Sequence, residues 1–254
     1  MTSPAALDRR KVASWALYDW ANSAFATTAA AAFFPVFFKE YWSAGTAVAT
    51  VNYRLGVANS LASVVVVVLA PLLGAIADRG GARKGFLLVF SALGVAMTGS
   101  LYLVAHGDWF RALLLFGLAL VGFSGANVFY DALLVCIVPR ARLDRVSALG
   151  YSVGYLGGGL LYAVNVCMTM WPRQFGLADA AAAVRVSFVT VAVWWALFSI
   201  PLFLFVDEPE ATGRGNRLAA VRDGLRQLAS TFRQVRQLRM VWLFLLAYWL
   251  YIDG

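Results

Sequence analysis

The sequence predicts an all-α integral membrane protein with six membrane-spanning helices and the start of a seventh, on three observations. Apolar residues make up 61% of the 254 and charged residues only 13%, about half the charged share of a soluble domain. Mean hydropathy is +0.73. The apolar residues fall in runs of roughly 20, long enough to cross a hydrocarbon core, with basic clusters between them. No segment shows the ten-residue alternation that a membrane β-barrel requires.

The six runs lie at roughly 14–38, 56–77, 86–105, 112–138, 147–170 and 186–206, and a seventh begins near Met240 and reaches Gly254. Arg9, Arg10 and Lys11 ahead of the first run resemble the start of a signal peptide. That run is too long for one, carries Asp19 and Asn22, and is followed by five more, so it reads as a retained first helix. Sixteen lysines and arginines fall at the N-terminus, in the loops after helices 2 and 4, and in the segment after helix 6. Only five, Lys39, Arg54, Arg111, Arg173 and Arg185, fall on the other side. The bias places the N-terminus in the cytoplasm, so helices 1, 3, 5 and 7 run outward. The same topology accounts for the net charge of +8. No basic face or nucleic-acid motif is present, and nucleic acid is excluded as a partner.

The chain divides into a six-helix bundle at 1–206, a cytoplasmic linker at 207–239 and a truncated helix 7 at 240–254. The linker opens with Asp207, Glu208, Pro209 and Glu210. Leu218, Val221, Leu225, Leu228, Phe232 and Val235 then step by three and four among arginines, the pattern of a basic amphipathic helix. Six helices, a long basic linker and a seventh helix imply two six-helix halves, of which this chain holds the first. Cys136 and Cys167 have no metal-ligand spacing and read as small apolar filler. The single histidine, His106, falls in a short loop. No metal site or cofactor is expected. No nucleophile–base pair, paired histidines or phosphate loop points to an enzyme.

Three carboxylates lie inside apolar runs: Asp19, Asp131 and Asp253. A charge at the centre of a spanning helix costs roughly 2.5–3.5 kcal/mol on insertion scales, and such residues mark solute, ion or proton paths. Asp19, Asn22, Ser23 and Ala26 share one face of helix 1 at 100° per residue. Ser124, Asn127, Tyr130 and Asp131 share one face of helix 4. Asp19 and Asp131 are each expected roughly 7–11 Å below the inner interface, from 1.5 Å of rise per residue. Similar depth makes a shared solute or proton site on helices 1 and 4 plausible; interhelical hydrogen bonding is the alternative for Asn22 and Ser23, and a structural carboxylate capping backbone donors the alternative for Asp19 or Asp131. On helix 5, Gly150, Gly154 and Gly158 recur every four residues and present a smooth face for close packing.

The loop after helix 2 runs Gly74-Ala75-Ile76-Ala77-Asp78-Arg79-Gly80-Gly81-Ala82-Arg83-Lys84. It resembles the G-x-x-x-D-R-x-G-x-R-K loop of the major facilitator superfamily at every specified position. The resemblance implies that Asp78, Arg79 and Arg83, with Gly74, Gly81 and Lys84, form a cytoplasmic gate that latches the outward-facing state. Charge-assisted hydrogen bonds between helix ends would do the holding.

Further tracts are similar to one branch, the unknown major facilitator family that includes a fungal vacuolar effluxer of amino acids. They are Ala16-Leu17-Tyr18-Asp19-Trp20-Ala21-Asn22-Ser23-Ala24-Phe25, Asn127-Val128-Phe129-Tyr130-Asp131-Ala132-Leu133-Leu134, and the stretch from Arg145 to Gly159. Tyr248 to Gly254 has the same character. The resemblance implies the N-terminal half of a twelve-helix major facilitator fold plus the start of helix 7. It implies transport of a small polar solute by alternating access, with helices 1, 4, 7 and 10 lining the path. Asp19, Asn22, Ser23, Asn127, Tyr130, Asp131 and Asp253 would then line that path, with protons as a second partner and amino acids as the solute suggested by analogy. The rest of the carrier, a C-terminal half, and the lipid bilayer are the other implied partners. The helix-4 arginine common in sugar and drug facilitators is absent, as is the proline of the antiporter motif. A six-helix structural protein or an inactive fragment is the competing expectation.

Overall fold

A computed structural model describes residues 8–80 and 82–208, with Leu243 and Ala247 beyond them. Six helices are long and apolar enough to span a membrane. They are α1 (Arg9–Trp42), α2 (Val48–Gly80), α3 (Arg83–Ser100), α4 (Trp109–Ile137), α5 (Leu143–Met170) and α6 (Ala180–Phe205). No strand occurs among the described residues. The expected amphipathic linker helix, helix 7 and Asp253 lie outside the described residues.

Local chemistry explains where the helices start. The Asp8 carboxylate accepts from the amides of Arg10 and Lys11, at 3.0 and 3.3 Å, and caps α1. Asp108 caps α4 and Asp179 caps α6 in the same way, each satisfying an amide that the helix itself leaves free. Between α5 and α6 the chain turns at Gly176, whose φ of 73° would strain any residue with a Cβ.

α1 starts earlier and ends later than its apolar run suggested. Its second half is largely π-helical, over Phe25–Phe33 and again over Phe38–Trp42. Pro35 sits in the single α turn between them. Proline lacks the amide hydrogen of a regular helix and clashes with the carbonyl one turn back. Wide turns of this kind are frequent at functional sites, and the first begins two residues after Ser23 of the polar stripe.

α1 packs along α5 and α6, α3 along α4 and α6, and α2 chiefly on α4. Lipid tails are as apolar as leucine, so these contacts rest on van der Waals packing and on polar ties between helices. Glycines allow the closest approaches. A Cβ on Gly122 would run into the backbone of Gly94, and one on Gly125 into the Phe90 ring. Two clusters fill the interior. One surrounds Phe25, Phe34, Trp42, Phe116, Phe188 and Trp195. The other surrounds Trp15, Tyr18, Leu87, Phe129, Leu133 and Leu202, at the end that carries the N-terminus. Leucines and valines elsewhere point outward, as on Val64, Val67 and Val68 of α2. A surface solvated by lipid tolerates that arrangement.

Candidate functional site

The polar stripe of α1 and that of α4 meet. Asp19, Asn22 and Ser23 line one cavity of about 240 Å³ together with Asn127, Tyr130 and Asp131. All six residues expected on the solute path and covered by the described residues are therefore together. The two helices are joined across the cavity by Asn22, whose Nδ2 donates to Asn127 Oδ1 at 2.6 Å. Asn22 is buried, Asp19 is half-buried and Asp131 is exposed.

α1 begins at Arg9, so Asp19 lies about 15 Å along the helix axis from its start, and Asp131 about 9 Å from the end of α4, at 1.5 Å per residue. The carboxylates line one cavity although they lie at different distances from their helix ends. Ser124, placed on the α4 stripe, lines a different cavity of about 290 Å³ with Asn59 and Ser63 of α2.

Several residues of the cavity were not singled out from the sequence. Trp15 stacks on Tyr130 with ring centroids 4.4 Å apart and planes at 7°, and its Nε1 donates to the Tyr130 carbonyl at 3.1 Å. Tyr18 packs on the same Tyr130 ring at 4.8 Å, and its hydroxyl shares a 2.7 Å hydrogen bond with Ser91 of α3. Tyr130 is thereby held by two rings of α1. Its own hydroxyl is buried and has no partner. α5 supplies Ser147, Tyr151 and Tyr155 to the wall, a third helix beyond the two expected. Their spacing of four residues each was the available signal, overshadowed by the glycines between them.

Those glycines set the position of α1. A Cβ on Gly150 would stand 2.6 Å from the Trp15 ring and 3.1 Å from Asp19 Oδ2. On Gly154 it would stand 2.7 Å from Ser23 Oγ and 3.2 Å from Asp19 Cγ, and on Gly158 2.9 Å from the Ser23 carbonyl. The packing stripe of α5 and the polar stripe of α1 are two sides of one contact. Gly157, between them, lies against Trp20.

The basic end of the bundle is tied by residues on four helices, α1, α3, α4 and α6. Of the loop resembling a gate, Asp78 and Arg79 fall in the last turn of α2, and their side chains and Gly81 lie outside the described residues. Gly74 has open space where a Cβ would go. Arg83 and Lys84 open α3. The carboxylate of Glu208 accepts from both of their amides, at 2.6 Å from Arg83 and 3.1 Å from Lys84. Lys84 Nζ in turn donates to the carbonyls of Phe203 and Val206, at 3.0 and 2.6 Å, where α6 ends. Arg83 Nη1 donates to Cys136 Sγ at 2.7 Å, so Cys136 is a polar partner here and not only filler. Next to Glu208, Asp207 pairs with Lys11 of α1 at 2.7 Å. The hydrogen bond from Lys11, followed by its charge, lowers the Asp207 carboxyl below its ordinary value of 3.8. Asp207 and Glu208 had read only as the start of a linker. Their position just past an apolar run that ends at a helix terminus was the signal.

Residues 46–254 match the family model described as "Vacuole effluxer Atg22 like". The chain is 36% identical over 243 residues to the uncharacterized MFS-type transporter YxiO of Bacillus subtilis, covering 95% of this chain and 56% of that protein. An uncharacterized protein of Aquifex aeolicus is 26% identical over 80% of this chain and 47% of its own length. Autophagy-related protein 22 of Yarrowia lipolytica is 26% identical over 48% of this chain and 23% of its own length. The chain spans about half the length of the first two relatives. No solved structure matches it. With a match over residues 46–254, the chain belongs to the Atg22-like vacuole effluxer family, a family of major facilitator transporters.

Proposed function

We propose that this chain is the N-terminal half of a permease that moves a small polar solute by alternating access. The cavity that unites Asp19, Asn22, Ser23, Asn127, Tyr130 and Asp131 carries this reading. A bilayer does not accommodate two carboxylates, two amides and a buried hydroxyl without a use for them. In carriers of this kind the solute site lies between two six-helix halves, and this cavity is the part of such a site that the present half would supply. Amino acids are the solutes suggested by the family resemblance, and protons are the ion that Asp19 and Asp131 are equipped to exchange.

The positive-inside count supports a cytoplasmic N-terminus, and the bacterial relatives support a bacterial inner membrane. In that orientation Asp78, Arg79 and Arg83 belong to a cytoplasmic gate, and Lys84 and Glu208 join it. Counterflow in proteoliposomes, with labelled neutral amino acids and the protein from its natural reading frame, tests the reading. Saturable exchange is expected. Full activity in both Asp19→Asn and Asp131→Asn would remove the ionisable site from it.

A further inference from the structure

The cavity between α1, α4 and α5 has a one-sided chemistry. Two carboxylates line it, Asp19 and Asp131, and among the described residues no lysine, arginine or histidine does. Among the described residues neither carboxylate has an ion-pair or hydrogen-bond partner. The remaining wall is part neutral polar, with Asn22, Ser23, Asn127 and Ser147, and part aromatic, with Tyr151 and Tyr155. Tyr151 and Tyr155 are 63% and 75% exposed, so their rings are not committed to the core. Tyr130 is 3% exposed and its hydroxyl is sealed from the cavity, so the aromatic faces open to a ligand are those of Tyr151 and Tyr155.

Aromatic faces and carboxylates attract the same kind of ligand. The ring quadrupole presents negative charge at its face and draws cations, quaternary ammonium groups above all. Carboxylates complement that charge, and a hydroxyl accepts an N–H bond. An anion would meet two like charges here with nothing to offset them. A bare metal ion is a poor fit, since no group of three acidic, histidine or cysteine ligands exists among the described residues.

Resting on the permease reading above, we propose that the cavity binds an organic ammonium ion, either a protonated amine or a quaternary ammonium. Asp19 and Asp131 supply the counter-charge and Tyr151 and Tyr155 the aromatic faces. A zwitterionic amino acid fits less well, because its carboxylate finds no positive group in this half of the path.

The test uses the protein from its natural reading frame, in lipid nanodiscs, with binding followed by tryptophan fluorescence and by the thermal midpoint. The probes are choline and benzylammonium, their neutral isosteres 3,3-dimethylbutanol and benzyl alcohol, leucine as a zwitterion and benzoate as an anion. Saturable binding of the two cations is expected, with the isosteres at least about tenfold weaker. Asp19→Asn and Asp131→Asn should each weaken cation binding by about tenfold or more, and Asp19→Glu should restore most of it. That rescue separates loss of charge from loss of fold. Equal binding of cations and isosteres overturns the proposal. So does binding or counterflow of leucine or benzoate with no cation binding, a result that leaves the permease reading standing. If a folded protein neither binds nor exchanges any probe, both readings fall.

Discussion

Glu208 and Lys84 exchange helix ends. The Glu208 carboxylate accepts from the amide of Lys84 at the start of α3, while the Lys84 ammonium donates to the carbonyls that end α6. An anion thus meets the positive end of one helix dipole and a cation the negative end of another. A partly buried contact of this sort is worth up to about 2 kcal/mol at each terminus. Glu208→Ala should therefore destabilise the protein by about 1–2 kcal/mol, read as a lower thermal midpoint in detergent. Glu208→Gln, which keeps an acceptor but loses the charge, should fall between. An unchanged midpoint in both would mean that water serves these helix ends equally well.

The neighbouring pair gives an acid response. Asp207 is held below its ordinary value by Lys11, so its stabilising effect is complete above the unfolded carboxylate range. It is lost as pH falls through the lowered folded-state value. The thermal midpoint should drop on acidification below about pH 4, and Asp207→Asn should flatten that part of the curve. The pair is exposed on the Asp207 side, so the effect should shrink in high salt.

The α5 glycines separate packing from free space. Gly154→Ala adds a Cβ 2.7 Å from Ser23 Oγ and should push α1 away from α5, costing about 1–3 kcal/mol as overpacking does. Gly159 has nothing within 4 Å of an added Cβ, and Gly159→Ala should leave both the midpoint and transport unchanged. Equal midpoints for the two variants would contradict the contact described for α1 and α5.

Asn22 and Asn127 should be coupled. Removing either one alone leaves its partner's amide unpaired at the cavity wall, and a double-mutant cycle with alanine should return about 0.6–2 kcal/mol of interaction. A cycle that closes at zero would mean that the 2.6 Å bond contributes nothing between α1 and α4.

Much of this protein is legible along the chain because the bilayer imposes local rules. Apolar run length gives the helices, and helical periodicity gives the faces on which Asp19, Asn22 and Ser23, or Asn127, Tyr130 and Asp131, stand together. The insertion penalty then says that such faces must turn inward. The early start of α1 escaped this reasoning, since Arg9 to Ala13 is too polar to register as part of a span and yet is capped by Asp8.

What lies across the gap between helices obeys no local rule. Ser124 shares a face with Asn127 and still lines another cavity, because α2 joins α1 and α4 there and brings Asn59 and Ser63 to it. The glycines of α5 announce a close neighbour without saying which one, and only the crossing with α1 sets them against Asp19 and Ser23. Glu208 reads as linker until the start of α3 is found beside it, 124 residues away in the chain. Sequence alone determined the membrane class, the helices and their polar faces, since those follow from hydropathy and a 3.6-residue turn. Tertiary structure decided the partners, since they depend on how the helices cross and how closely their small residues let them approach.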